Sequence, residues 1–384
     1  VSAYIGFDCT ASSFHIGNLV QILRLNWLKQ TGHRPIALMG GGTTMVGDPS
    51  GKDATRKMLT VADIEANKSS LKKTFSQFID FEGGADAALM VDNAEWLTEL
   101  KYLPFLRDVG KHFSVNRMLA FESVSERLKR EQEMSFIEFN YMILQAYDFV
   151  ELRKRYDCTL QLGGSDQWGN IVSGVDLGRR MGCRDLNAMT CELSTMADGR
   201  KMGKTADGAV WLNADMLSAY HYWQFWRNTS DADVLRFLRI FTRMPLDEIR
   251  RLEGIEGAEL NAVKVLLANE ATTMLHGAEA AAEAEKAAQG FFGSGNLSAD
   301  EMPGITRTRD ALSDGALMID VLVDGKLADS RKAAKRLLQE GAVSVNSEKR
   351  EGMDAVLTLD DLNDDQQAVV SRGRKNHILV SLDG

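Results

Sequence analysis

The chain has 384 residues, 44% hydrophobic and 26% charged, with a net charge of −9; this is ordinary globular usage and excludes a disordered or low-complexity protein. Five prolines, no glycine period and no long uninterrupted apolar run exclude a fibrous scaffold and a membrane-spanning helix. Four cysteines (Cys9, Cys158, Cys183, Cys191) without a CxxC pair exclude a disulfide framework and a structural zinc site, and point to a cytoplasmic setting. The length suits two or three domains, and the acidic balance confines any RNA contact to local basic patches. Val1 opens almost directly on a strand pattern without a methionine, so part of the N-terminus is expected to precede it.

Between residues 1 and 214, short apolar runs (Tyr4–Asp8, Pro35–Met39, Ala87–Val91, Thr159–Leu162) alternate with longer helical patterns. That alternation predicts an α/β domain, a parallel sheet with helices on both faces. Two runs end in glycine clusters, Gly40–Gly42 and Gly163–Gly164, where such sheets expose their carboxyl ends to ligands. Residues 215–292 lose the strand signal and are rich in good helix formers, which predicts a helical domain. Residues 293–315 carry glycine, serine, aspartate and a proline and are expected to be a linker. Residues 316–384 are expected to be a small α+β module, with a helix over Ser330–Gln339, a turn at Glu340–Gly341 and a strand over Ala342–Asn346.

Three familiar motifs fail on spacing. A phosphate loop in VGDPSGKD would need glycine at Val46 and serine or threonine at Asp53. A dinucleotide fingerprint from Gly40 meets Met45 where its last glycine belongs, and a nucleophile elbow at Ser165 meets Gln167.

Three other signals hold. In TASSFHIGNLVQ, Thr10–Gln21, a strand end runs into a helix whose N-terminal N–H groups, with Thr10 and His15 beside them, suit a phosphate; the alternative is that Ser12 or Ser13 caps the helix and His15 sits at its surface. In KMGKT, Lys201 and Lys204 flank a flexible glycine and can neutralise moving phosphate charge, as can Lys52 and Arg56 in GKDATR; the alternative is a solvated charged loop. In the helix predicted over Phe136–Tyr156, Tyr141, Gln145 and Asp148 share one face of a largely buried segment. A buried Asp148 needs a donor, which a ligand hydroxyl or amine, or an internal arginine, could supply.

Together, YIGFDCTA, the histidine–glycine signature, MGGGTTMVGDPSGK, GKHFSVNRM, FNYMILQAYDF, GGSDQWGN and KMGKT resemble the class I aminoacyl-tRNA synthetases, in their bacterial tyrosyl subtype, over nearly the whole chain. The resemblance implies a Rossmann-like catalytic domain that uses ATP, with Mg2+ bound through the nucleotide phosphates, to adenylate L-tyrosine and charge tRNA(Tyr). It implies that Tyr4 and Asp148 hold the phenol hydroxyl, and that Asp48, Tyr141 and Gln145 hold the α-amino group. Asp8, Gly17, Asn18, Gly164, Asp166 and Gln167 would line ATP. Thr10, His15, Lys201 and Lys204 would surround the phosphates, with Lys52 and Arg56 on the pyrophosphate side. Such enzymes act as homodimers with one tRNA lying across both subunits.

The C-terminal module resembles the S-four-like RNA-binding domain of bacterial tyrosyl enzymes, most clearly in SRKAAKRLLQEGAVSVN. Arg331, Lys332, Lys335 and Arg336 would form its basic stripe, within a segment holding ten basic and ten acidic residues from Lys326 to Gly384. Three positions depart from the family pattern. Asn18 stands for a usual histidine, Cys9 for a proline, and Gly203 for a serine-like residue, which predicts a more mobile loop. The family also usually carries a helical segment before the first strand. Rival readings are a tryptophan-specific synthetase, which Tyr4 with Asp148 disfavours, and a synthetase-derived RNA-binding protein that has lost adenylation, which the intact His15, Lys201, Lys204, Asp48 and Asp166 disfavour.

Overall fold

The computed structural model describes residues 1–48, 58–83, 87–200, 202–205, 208–293, 304–346, 348–363, 366–373 and 376–382. Two compact units divide the chain, Val1–Ala278 and Glu279–Gly384. Among the described residues no helix is long and apolar enough to cross a membrane.

The first unit is built on one parallel sheet. Its strands are β1 (Ser2–Asp8), β2 (Arg34–Gly40), β3 (Leu89–Asp92), β4 (Leu160–Gly164) and β5 (Asn187–Cys191), in the order β3-β2-β1-β4-β5. The first four fall on the expected apolar runs within a residue or two. β5 gives no such signal, because this edge strand is half exposed and carries no apolar run. The chain winds outward from β1 through β2 to β3, then returns to the other side for β4 and β5, so the topological switch point lies between β1 and β4. β1 pairs with β2 along seven residues, but with β4 only at Ala3↔Leu160 and Tyr4↔Gln161. Beyond those two pairs the ladder stops, and the carboxyl ends of β1 and β4 leave a cleft.

The helices cover this sheet. α1 (Ile16–Gln30) follows β1, and α2 (Val61–Phe78) starts at a Thr60–Asp63 capping box. α3 (Phe136–Tyr156) spans the predicted residues; a Ser135–Glu138 capping box opens it, and Asp157 at φ 54° closes it in the left-handed region. It packs on α4 (Trp168–Arg180), where a Cβ on Gly174 would lie only 3.2 Å from the Phe149 ring, so the glycine permits the close approach. Further on, α5 (Ala219–Arg227), α6 (Val234–Phe241) and α7 (Leu260–His276) bury an aromatic cluster. Trp226, fully buried, meets Tyr222, Phe237 and Phe241 with ring centroids 5.9, 5.9 and 5.0 Å away.

The second unit has a mixed sheet of β6 (Gly304–Arg307), β7 (Val343–Val345), β8 (Glu348–Lys349), β9 (Gln367–Arg372) and β10 (Asn376–Leu382), in the order β8-β7-β9-β10-β6. Only β6 and β10 run parallel. Helices α8 (Met318–Asp324) and α9 (Arg331–Gln339) bury Leu322 and Leu338 in a core shared with Val345, Val370 and Val380. The linker expected over 293–315 is corrected at its C-terminal end. Residues 304–307 form β6, with Ile305 set beside Val380, and Arg309–Ser313 is a short helix. The polar and glycine-rich composition concealed the one apolar side chain that seats the strand against the core. Residues 294–303 lie outside the described part.

Truncating the most heavily surrounded ring tests this packing. Trp226→Ala should destabilise the first unit by about 3–5 kcal/mol, read as a lowered urea midpoint by near-ultraviolet circular dichroism. A midpoint equal to the parent's would show that the aromatic cluster contributes little.

Candidate active site

A cavity of about 680 Å³ opens where β1 and β4 part. Tyr4, Asp8, Thr10, His15, Gly17, Asn18, Asp48, Tyr141, Gln145, Asp148, Gly164, Asp166 and Gln167 all line it, so residues spread over 163 positions of sequence converge on one space. Lys52, Arg56 and Lys201 lie outside the described residues. Lys204 sits in a short ladder, Lys204–Thr205 against Gly208–Ala209, and its side chain is outside the described part.

At the deep end, Asp148 on α3 is 1% exposed. Its carboxylate accepts from Asn93 Nδ2 at 3.0 Å and from the Trp96 indole N–H at 2.8 Å. The donors are therefore neutral, and the internal arginine that sequence reasoning left open is not among the bonds that hold it. Burial pushes its pKa up to about 8; the two donors pull it down, and Asp8 and Asp92 push it up. Tyr4 on β1 is fully buried, with its ring 5.3 Å from that of Phe149, and among the described residues its hydroxyl has no hydrogen-bond partner. Burial first, and then Asp148, hold that phenol protonated by raising its pKa. Gln145 Oε1, a turn from Tyr141 and Asp148 on α3, is likewise buried without a partner among the described residues. Unpaired polar atoms in a lined cavity are costly, and a polar ligand offsets that cost.

Acidic groups occupy the middle of the cavity. The Tyr141 hydroxyl donates to Asp8 Oδ2 at 3.1 Å, and Thr43 donates to Asp8 Oδ1 at 2.8 Å. Asp48 Oδ2 accepts from Gln167 Nε2 at 3.0 Å, while Gln167 Oε1 accepts from Asn170 at 3.1 Å. Burial, Asp8 and Asp48 together raise the Tyr141 phenol well above its ordinary value. Besides the deep-lying Asp148, the described lining holds Asp8, Asp48 and Asp166 and no lysine or arginine, a field that attracts a cation such as an ammonium group.

At the start of α1, His15 is itself the N-cap. Its Nδ1 accepts from the Gly17 N–H at 3.1 Å, and Asn18 Oδ1 accepts from the His15 N–H at 3.2 Å. Neither Ser12 nor Ser13 caps the helix: the Ser12 hydroxyl meets Met216 Sδ, and Ser13 Oγ accepts from the Leu212 and Asn213 N–H groups. The segment after the lysine loop returns to this turn, with the Ile16 N–H donating to Val210 O at 2.9 Å. Gly203 has φ 95°, and a Cβ there would lie 3.1 Å from both Gly17 N and His15 Nδ1. Close approach in a left-handed conformation is a physical reason for glycine, distinct from the loop mobility expected of it.

Sequence reasoning missed Asn93, Trp96, Thr43 and Gln161. Asn93 is the hub of the site, because its Oδ1 also accepts from the Gly42 N–H at 2.8 Å and its Nδ2 donates to Thr43 Oγ1 at 3.1 Å. The available signal was positional, since Asn93 and Trp96 directly follow β3 at the same carboxyl edge of the sheet. Gln161, opposite Tyr4 in the sheet, lines the cavity with its Oε1 unpaired. In the second unit, Arg331, Lys332, Lys335 and Arg336 are all exposed on α9. Arg331 pairs with Asp320, and Arg336 with Glu340 at 3.5 Å, so part of that basic stripe is offset.

A family profile described as tRNA synthetases class I (W and Y) matches residues 1–293, and one for the tyrosine–tRNA ligase SYY-like C-terminal domain matches residues 297–380. The tyrosine–tRNA ligase of Rhodopseudomonas palustris is 56% identical over 383 residues, covering 100% of this chain and 91% of the relative. That of Methylocella silvestris is 57% identical over 382 residues, covering 99% and 90%. Among solved structures, a C-terminally truncated mitochondrial tyrosyl-tRNA synthetase from Aspergillus nidulans superposes with a TM-score of 0.66 at 29% identity, covering 75% of this chain and 85% of that one. With a profile spanning the whole first unit and relatives this similar from end to end, the chain belongs to the class I tRNA synthetases of the tryptophan and tyrosine group.

Proposed function

We propose that this protein is a tyrosine–tRNA ligase. It joins L-tyrosine to ATP, forming tyrosyl adenylate and pyrophosphate, and then passes tyrosine to the 3′-terminal ribose of tRNA(Tyr) in cytoplasmic protein synthesis. The observation that carries the reading is the pairing at the deep end of the cavity: a buried carboxyl held by neutral donors, beside an unpaired phenol hydroxyl. A phenol-bearing substrate completes both groups, whereas phenylalanine would leave buried polar atoms unpaired and so be rejected.

In this reading Tyr4 and Asp148 hold the substrate hydroxyl, and Asp48, Tyr141 and Gln145 hold its ammonium in the acidic middle of the cavity. The substrate carboxylate then attacks the α-phosphorus of ATP. The P–O bond to pyrophosphate breaks as the new P–O bond forms, so no covalent enzyme intermediate is needed. Asp8, Gly17, Asn18, Gly164, Asp166 and Gln167 line the nucleotide. Thr10 and His15 serve the phosphates from the N-terminus of α1, with Lys52, Arg56, Lys201 and Lys204 supplying the positive charge that the lining lacks. Mg2+ bound with the nucleotide phosphates would supply further positive charge on the pyrophosphate side, beside Lys52 and Arg56. Catalysis is positioning plus electrostatic stabilisation. Arg331, Lys332, Lys335 and Arg336 contact tRNA. A homodimer belongs to this reading through the family resemblance.

Amino-acid-dependent ATP–pyrophosphate exchange tests the assignment directly. Tyrosine alone should support exchange, and phenylalanine and tryptophan should not; exchange with tryptophan, or with none, would overturn it. Asp148→Ala should remove the preference for tyrosine over phenylalanine.

A second test follows from the raised pKa of Asp148. The unliganded carboxyl is protonated below about pH 8. A phenol hydroxyl adds a donor that favours the carboxylate and draws this pKa down. Tyrosine binding near neutral pH should therefore release protons, with the release fading as the pH rises past about 8. Calorimetry in buffers of different ionisation enthalpy measures it, and Asp148→Asn should abolish the release.

A third concerns the lysine loop. Gly203→Ala puts a Cβ against the start of α1 at positive φ, so kcat for adenylation should fall about tenfold with tyrosine affinity unchanged. An unaltered kcat would show that the close approach is not used in the reaction.

A further inference from the structure

Arg24 on α1 does not line the cavity, yet it reaches the open side of β4. Its Nη1 donates to the Gly163 carbonyl at 3.2 Å, to Gln21 Oε1 at 3.1 Å and to Cys191 Sγ at 3.1 Å. All three acceptors stand at the glycine end of the cavity: Gly163 and Gln21 line it, and Cys191 pairs with Gly164 across β4 and β5. The ladder from β1 to β4 ends two residues before Gly163, so no β1 pairing fixes the spacing of the strands there. β1 continues into α1, and α1 carries Arg24. The guanidinium therefore ties the element that follows β1 to the carbonyl of β4, across the gap that the ladder leaves.

We propose that Arg24 is a positioning residue for the nucleotide half of the reaction: it sets the separation of β1 from the Gly163–Gly164 end of β4 and fixes the Gln21 carboxamide. This rests on the reading above that the glycine end receives ATP. The phenol end depends on Asn93, Trp96 and Tyr4, none of which touches Arg24, so the two substrates respond differently to its loss. All three acceptors share the two N–H groups of the one Nη1; a lysine ammonium keeps a donor there, and a methionine thioether has none.

Pyrophosphate exchange on purified Arg24→Met and Arg24→Lys, with calorimetric tyrosine binding on the same samples, tests it. For Arg24→Met, KM for ATP should rise about tenfold while tyrosine affinity stays within about twofold, and Arg24→Lys should recover part of the loss. An unchanged KM for ATP, or equal weakening of both substrates, overturns the proposal. If Arg24→Met does not fold, the split between KM for ATP and tyrosine affinity is read in Arg24→Lys and Arg24→Gln, which keep a donor. Asp166→Ala separates this inference from the site reading. If it raises KM for ATP and the Arg24 variants do not, only the brace is wrong; if neither does, the glycine end is not the nucleotide site.

Discussion

The structure of the first unit turns on a ladder that stops early. Parallel strands gain stability from each added pair, and β1 spends its full length on β2 while sharing only two pairs with β4. Lost pairing leaves backbone groups that something else must satisfy. Around this gap the other features arrange themselves: a side chain, Arg24, replaces a strand partner at Gly163, and a cavity forms between the parted ends. A continuous ladder would have closed the space that the chemistry uses.

Within that space charge is separated. The described lining is acidic in the middle and carries no lysine or arginine, while the cationic side chains expected to meet phosphate belong to the segments around Lys52 and Lys201. An amino acid brings an ammonium and ATP brings several negative charges, so a site for both needs opposite fields a short distance apart. Fixed aspartates on the sheet and on α3 provide one. The N-terminus of α1, capped by its own His15, contributes to the other through its dipole.

Much of this was legible from residue order. Helix α3 is the clearest case: its apolar middle, the Ser135–Glu138 pair and the basic last turn all specify one helix, and its boundaries fall where spacing puts them. The polar face of Tyr141, Gln145 and Asp148 could be read from periodicity, but the partners of Asp148 could not. Asn93 and Trp96 lie 55 and 52 residues from Asp148, and nothing local in VDNAEWL marks either as a donor to a distant carboxyl. His15 misled in a different way. A histidine is an uncommon cap, so the hydroxyls of Ser12 and Ser13 looked better suited, whereas the backbone turn set by Gly17 and the return of Val210 put the imidazole in that place. β6 escaped because a four-residue strand with one half-buried apolar side chain is invisible in a glycine- and serine-rich composition.

The choice of neutral donors for Asp148 has a functional logic. An arginine in their place would hold the carboxyl ionised and satisfied, and a bound phenol would then add little to what the pocket already had. An amide and an indole leave it short of donors, with burial pushing its pKa up to about 8, so in the proposed reading a hydroxyl ligand would favour its ionised form. Interaction free energy that appears only with the correct substrate is what discrimination requires, since a group equally content with and without it contributes nothing to the difference. The same incompleteness at Tyr4 and Gln145 extends the principle along the cavity. On the proposed reading, specificity in this site would thus come from polar groups that the fold has buried and left one partner short.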